Sequence, residues 1–83
     1  MRDAFLARIR AECIDAASRA EAGNIKYSYY VPADGGDELF LLEKWRDAEA
    51  LAEHGKQAHF VRLGVIKQEY VVDTVIERLM LLA

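Results

Sequence analysis

From Asp3 onward the apolar residues fall at Phe5, Ile9, Cys13, Ala16 and Ala20, steps of four and three that keep them on one helical face. Arg8, Arg10, Glu12, Asp15 and Arg19 fill much of the remainder. Asp3 is placed to cap the first amides, Arg19 suits a carboxyl end, and Gly23 offers a left-handed stop. The pattern predicts one helix over about 3–22. The period then changes to two: Ile25, Tyr27, Tyr29 and Val31 point one way and Lys26, Ser28 and Tyr30 the other, as in a strand. Pro32-Ala33-Asp34-Gly35-Gly36-Asp37 is dense in turn residues, and the run Leu39 to Trp45 follows, so the two strands form a hairpin. The second strand is apolar on both faces near its middle, which calls for cover on both sides.

Asp47 reads as an N-cap for a short helix over 48–54, with Gly55 as its stop. A second helical stretch from Gln57 to about Val71 places Phe60, Leu63, Gly64, Lys67 and Tyr70 on one broad face. Beyond Asp73, branched and long apolar residues over 74–82 alternate as a final strand. The expected order is α-β-β-α-α-β, an α+β fold with an antiparallel sheet in one domain, 1–83.

Composition narrows the classes. With 83 residues, 53% of them hydrophobic, the chain suits one small domain whose core leaves a thin margin over chain entropy. Small domains of this kind draw on disulfides, metals or oligomerisation, and a single cysteine excludes an internal disulfide. The net charge of −3 and the lack of a clustered basic face argue against a nucleic-acid partner. The acidic Asp3 and Glu12 break any signal-peptide pattern, and no apolar run approaches the ~20 residues of a membrane span. The expectation is a cytoplasmic protein without membrane contact.

Glu21-Ala22-Gly23-Asn24 ahead of Tyr27, then Phe40, Glu43, Trp45, Asp47, Glu49-Ala50-Leu51 and His54, and finally His59-Phe60, resembles the antibiotic biosynthesis monooxygenase family over nearly the whole chain. The resemblance implies a ferredoxin-like domain that pairs into a dimeric α/β barrel, with sheets packed on each other and helices outside. It also implies a first strand ahead of the helix, where this chain has Met1 almost on the helix cap. Without that central strand the remaining strands leave unpaired amides and carbonyls. A shifted terminal strand, a partner's strand or a late start codon would each account for the gap, and a second copy of the chain is expected to cover the exposed sheet face.

The resemblance further implies a cofactor-independent monooxygenase that oxidises electron-rich quinol-like or polycyclic aromatic substrates. Such chemistry needs a base for a phenolic proton, a donor for the resulting anion and a dry aromatic pocket. His54 and His59 are the only imidazoles and the candidate bases, with His59 beside Phe60 preferred. Five positions apart, they would sit about 140° apart on a continuous helix, which argues against a shared metal, and each also has a structural reading at a helix end. Trp45, Tyr27 and Tyr29 are candidate pocket walls for an aromatic ligand, though aromatic strand residues are usually core. Glu43 falls on the face of Leu41 and Trp45, where a salt bridge to a lysine or arginine is the plainer expectation and a shared substrate proton the sharper one. Cys13 is expected as an inert packing residue. No cofactor motif is present. Two other readings stand beside catalysis on aromatics: a non-catalytic small-ligand-binding or assembly domain of the same fold, and haem degradation, whose first-strand polar residue has no counterpart here.

Overall fold

The computed structural model describes residues 2–70, and the expected strand over 74–82 lies outside them. The described order is α1 (Arg2–Ala11), α2 (Ile14–Arg19), β1 (Asn24–Tyr30), β2 (Phe40–Trp45), α3 (Ala48–His54) and α4 (Ala58–Tyr70). β1 and β2 form an antiparallel pair. α4 packs on α1 and α2, α2 packs on β1, and α3 packs on β2.

The expected first helix is broken in two. Cys13 takes a left-handed conformation, φ 57°, after Glu12 N has closed on Arg8 O and Cys13 N on Arg10 O, the latter an i to i−3 bond. The break rotates the apolar stripe. Phe5 and Ile9 are buried as the periodicity requires, but Ile14 and Ser18 then turn inward, while Cys13, Ala16 and Ala20 face outward. Cys13 is therefore an exposed residue at a bend, not part of the packed face. Asp3 lies inside the first turn of α1 and pairs with Arg2 instead of capping.

The core is Phe5, Ile9, Ile14, Leu63 and Ile66, with Tyr29, Leu39 and Tyr70 packed around it. Apolar side chains from three helices meet there, and burying each contributes on the order of 1.5–3 kcal/mol. Ile66, not the exposed Phe60, is the fully buried residue of α4. At the surface Arg62 grips Glu12 in two bonds of 2.6 and 3.0 Å, and Arg8 also bonds that carboxylate. Arg62 and Arg8 hold the Glu12 carboxyl down to about 2 and tie the end of α1 to α4.

Opposed residues share a sheet face, so the register Tyr27↔Glu43 and Tyr29↔Leu41 puts these four on the helix side, and Ser28↔Leu42 and Tyr30↔Phe40 put those four on the other. The ladder steps two residues on β1 for one on β2 between Asn24 and Lys26. This bulge takes Ile25 out of the alternation and leaves it 66% exposed. Phe40 is 56% exposed on the outward face, with Tyr30 and Val31 also uncovered. The apolar second face expected of the hairpin is thus present, and Phe40 and Tyr30 on it are exposed.

In the hairpin loop Gly35 and Gly36 both take positive φ, 81° and 80°, a region that other residues enter at a cost. Gly23 serves differently from the left-handed stop expected of it. Its φ is not positive, and a Cβ there would lie 2.2 Å from the Ala50 Cβ. The glycine lets the turn between α2 and β1 touch α3, and the Gly23 carbonyl accepts a bond from Arg46 N at 2.8 Å. That contact positions the site described next.

Candidate functional site

Three segments distant in sequence converge behind the helix side of the sheet. Glu21 comes from the turn after α2, His54 from the last residue of α3, and His59 from the first turn of α4. α3 starts where expected, with Asp47 Oδ1 accepting from Ala50 N at 2.8 Å. It stops at Gly55, and the chain turns through Lys56 and Gln57 before α4 begins. The turn invalidates the helical-spacing argument that kept the two histidines apart. Glu21 Oε2 lies 2.6 Å from His54 Nδ1 and 2.8 Å from His59 Nε2.

A carboxylate accepts only, so both bonds require N–H donors: His54 protonated on Nδ1 and His59 on Nε2. The three side chains are 14% (Glu21), 4% (His54) and 17% (His59) exposed. Burial pushes the Glu21 carboxyl up, the bonds from His54 and then His59 pull it down, and the net result lies below the ordinary carboxyl range.

With Nδ1 fixed, Nε2 of His54 is the free position of the ring. It lies 3.8 Å from Glu43 Oε1, beyond hydrogen-bond length. Glu43 in turn accepts the Trp45 Nε1–H at 3.1 Å. Among the described residues Glu43 does not form the lysine or arginine salt bridge expected for it, and its ionic neighbour is His54. Aromatic rings surround that imidazole: Trp45 at 4.6 Å between centroids, Phe60 at 5.2 Å edge-on and Tyr27 at 5.8 Å. Tyr29 stands one ring further, edge-on to Tyr27 at 5.9 Å, and packs against the core. The Tyr27 hydroxyl is buried and makes no hydrogen bond among the described residues. Burial pushes its pKa up, so it stays a protonated donor.

On its outer side Glu21 borders an open cleft of about 380 Å³ that includes Arg46, Glu49, Glu53 and Gln57. The arrangement therefore joins a solvent-facing mouth, a partly buried carboxylate, two imidazoles and an aromatic wall.

Residues 1–63 match the family model described as Antibiotic biosynthesis monooxygenase. The chain belongs to the antibiotic biosynthesis monooxygenase family. It is 36% identical over 59 residues, 71% of this chain, to "Putative monooxygenase YcnE" of Bacillus subtilis (strain 168), and spans 60% of that relative's length. Among solved structures it is similar to PA3566 from Pseudomonas aeruginosa, with a TM-score of 0.85 and 30% identity over 99% of this chain and 81% of the other. Rv0793 from Mycobacterium tuberculosis aligns with a TM-score of 0.72 and 31% identity over 99% and 89% of the two chains. The ferredoxin-like α+β fold expected from the family resemblance is thus shared with these solved structures.

All six residues singled out in the sequence, His54, His59, Glu43, Trp45, Tyr27 and Tyr29, lie in one neighbourhood of this family member. His54, not the preferred His59, holds its centre. Sequence reasoning gave Glu21 no chemical role. The signal was an acid in a helix-to-strand turn within the family-like segment, but its partners lie 33 and 38 positions away. Among the described residues no helix is long and apolar enough to cross a membrane.

Proposed function

We propose that the protein is a cofactor-independent monooxygenase of electron-rich phenolic aromatics, with His54 as the base and Glu21 as the group that orients it. The observation that carries this reading is the 2.6 Å bond from His54 Nδ1 to a partly buried carboxylate, which leaves Nε2 among Trp45, Tyr27 and Phe60. Family membership and the name of the Bacillus relative support oxygenase chemistry.

A phenol or naphthol lying against Trp45 gives its hydroxyl proton to His54 Nε2. Glu21 stabilises the imidazolium through Nδ1, as a carboxylate does for a catalytic histidine. Tyr27, kept protonated by burial, is the donor suited to the phenolate oxygen. The phenolate passes an electron to dioxygen, and the two radicals combine at the ring carbon para to the oxygen. The resulting hydroperoxide loses water to give a quinone. One oxygen atom stays in the new carbonyl and the other leaves as water with the two hydrogens of the original hydroxyl and C–H. The substrate supplies all the electrons. The working form in this reading is a homo-oligomer, because Phe40, Tyr30 and Ile25 otherwise stay in water.

An oxygen electrode tests the reaction with a panel of hydroquinones and naphthols. Protein-dependent uptake is expected to fall on the order of 10²-fold or more in His54→Gln, with a smaller loss in Trp45→Phe. No protein-dependent uptake across the panel, together with a ligand-induced change in Trp45 fluorescence, would replace catalysis with small-ligand binding.

A further inference from the structure

We propose that Glu21, His54 and His59 form a site for a divalent transition-metal ion with the donor preference of zinc, backed by Glu43 as its outer partner. The inference stands independently of the proposed reaction. Each residue offers one ligand atom, and these atoms lie within 4.8 Å of one another. Zinc-type bonds of about 2.0–2.2 Å to nitrogen and oxygen set tetrahedral ligand atoms roughly 3.4 Å apart, so shifts on the order of 1 Å complete the site. Two imidazoles and one carboxylate, three protein ligands with a fourth position open, make a donor set that favours zinc, iron or cobalt over magnesium or calcium.

Two further observations support the assignment. A metal-ligating histidine usually donates its other N–H to a carboxylate, and Glu43 Oε1 lies 3.8 Å from His54 Nε2, held by the Trp45 indole. Metal on Nδ1 moves the remaining His54 proton to Nε2, where closing that gap makes the bond. The cleft beside Glu21, with Glu49 and Glu53 on its wall, gives a cation a path inward.

Metallation would also exclude the proton relay. The ion replaces both N–H protons that now bind Glu21, and His54 then has no free lone pair toward Trp45 and Tyr27. Bound and unbound ion would therefore correspond to two chemical states of one site.

The test is titration of chelator-stripped protein with Co²⁺, followed by visible ligand-field absorption, and with Zn²⁺, followed by fluorescence of the chain's single tryptophan. We expect saturation at one ion per chain, no response to Mg²⁺, and at least a ~10-fold weaker affinity in His59→Asn and Glu21→Gln. Glu43→Gln should weaken binding by about 10-fold or more. Histidine ring NMR of the wild type gives the same answer without a variant: Zn²⁺ should perturb both His54 and His59. Absence of Co²⁺ absorption at stoichiometric metal, undisturbed ring signals, or equal affinity in folded His59→Asn and Glu21→Gln proteins would overturn the site. Oxygen uptake enters none of these readouts, so their failure and that of the proposed reaction are separable.

Discussion

Replacing Glu21 with glutamine keeps the shape of the side chain and removes its charge. In the wild type, Oε2 accepts from two imidazole nitrogens at 2.6 and 2.8 Å in a largely buried position. Hydrogen bonds to a charged group contribute about 1.5–3 kcal/mol each, against about 1 for a neutral pair. Both rings bond the same oxygen, so an amide oxygen in its place still accepts from both, but as a neutral acceptor. The expected loss at neutral pH is about 1–4 kcal/mol, a large share of the ~4–12 kcal/mol available to a chain of this size. The difference should also depend on pH. Despite burial, the bonds from His54 and His59 leave the folded carboxyl below its ordinary value of 4.5. A group whose folded pKa is lowered stabilises the fold above its unfolded pKa, and that contribution fades as pH falls through the folded value. Urea unfolding followed by Trp45 fluorescence, at neutral pH and near pH ~3, measures both. A Glu21→Gln protein within about 0.5 kcal/mol of wild type, or a deficit unchanged at the acidic pH, would refute the reasoning.

Gly23→Ala should destabilise by about 1–3 kcal/mol, read by the same urea titration, because its Cβ would meet the Ala50 Cβ at 2.2 Å and push α3, with His54, away from Glu21. Phe40→Asp should abolish self-association while the monomer stays folded, since Phe40 faces away from the helices; sedimentation velocity at micromolar concentration decides, and a wild-type monomer would contradict the oligomer. Leu41→Asp should unfold the chain instead, because Leu41 shares the helix-side face with Tyr29, and circular dichroism separates the two outcomes.

Local pattern made much of the fold legible. Alternation located both strands within one residue of their ends, and Asp47 announced the helix it caps. Two local irregularities were hidden. The bend at Cys13 is invisible to periodicity, because a cysteine carries no conformational preference for positive φ. The bulge that exposes Ile25 depends on where β2 pairs, which a single strand does not encode. The site was legible as a set of residue types and illegible as a constellation. Angular spacing on one helix said nothing once Gly55 to Gln57 turned the chain, and that turn brings the His59 imidazole within 5.7 Å of the His54 ring centroid. Glu21 reaches both rings because Gly23 lets its turn press against α3, a packing relation between distant segments.

One carboxylate binds two imidazoles at once, and long-range ¹H–¹⁵N NMR of the histidine rings examines this directly. His54 should be protonated on Nδ1 and His59 on Nε2, and Glu21→Gln should move the resonances of both rings together. Opposite tautomers in the wild type, or a Glu21→Gln change confined to one ring, would contradict it.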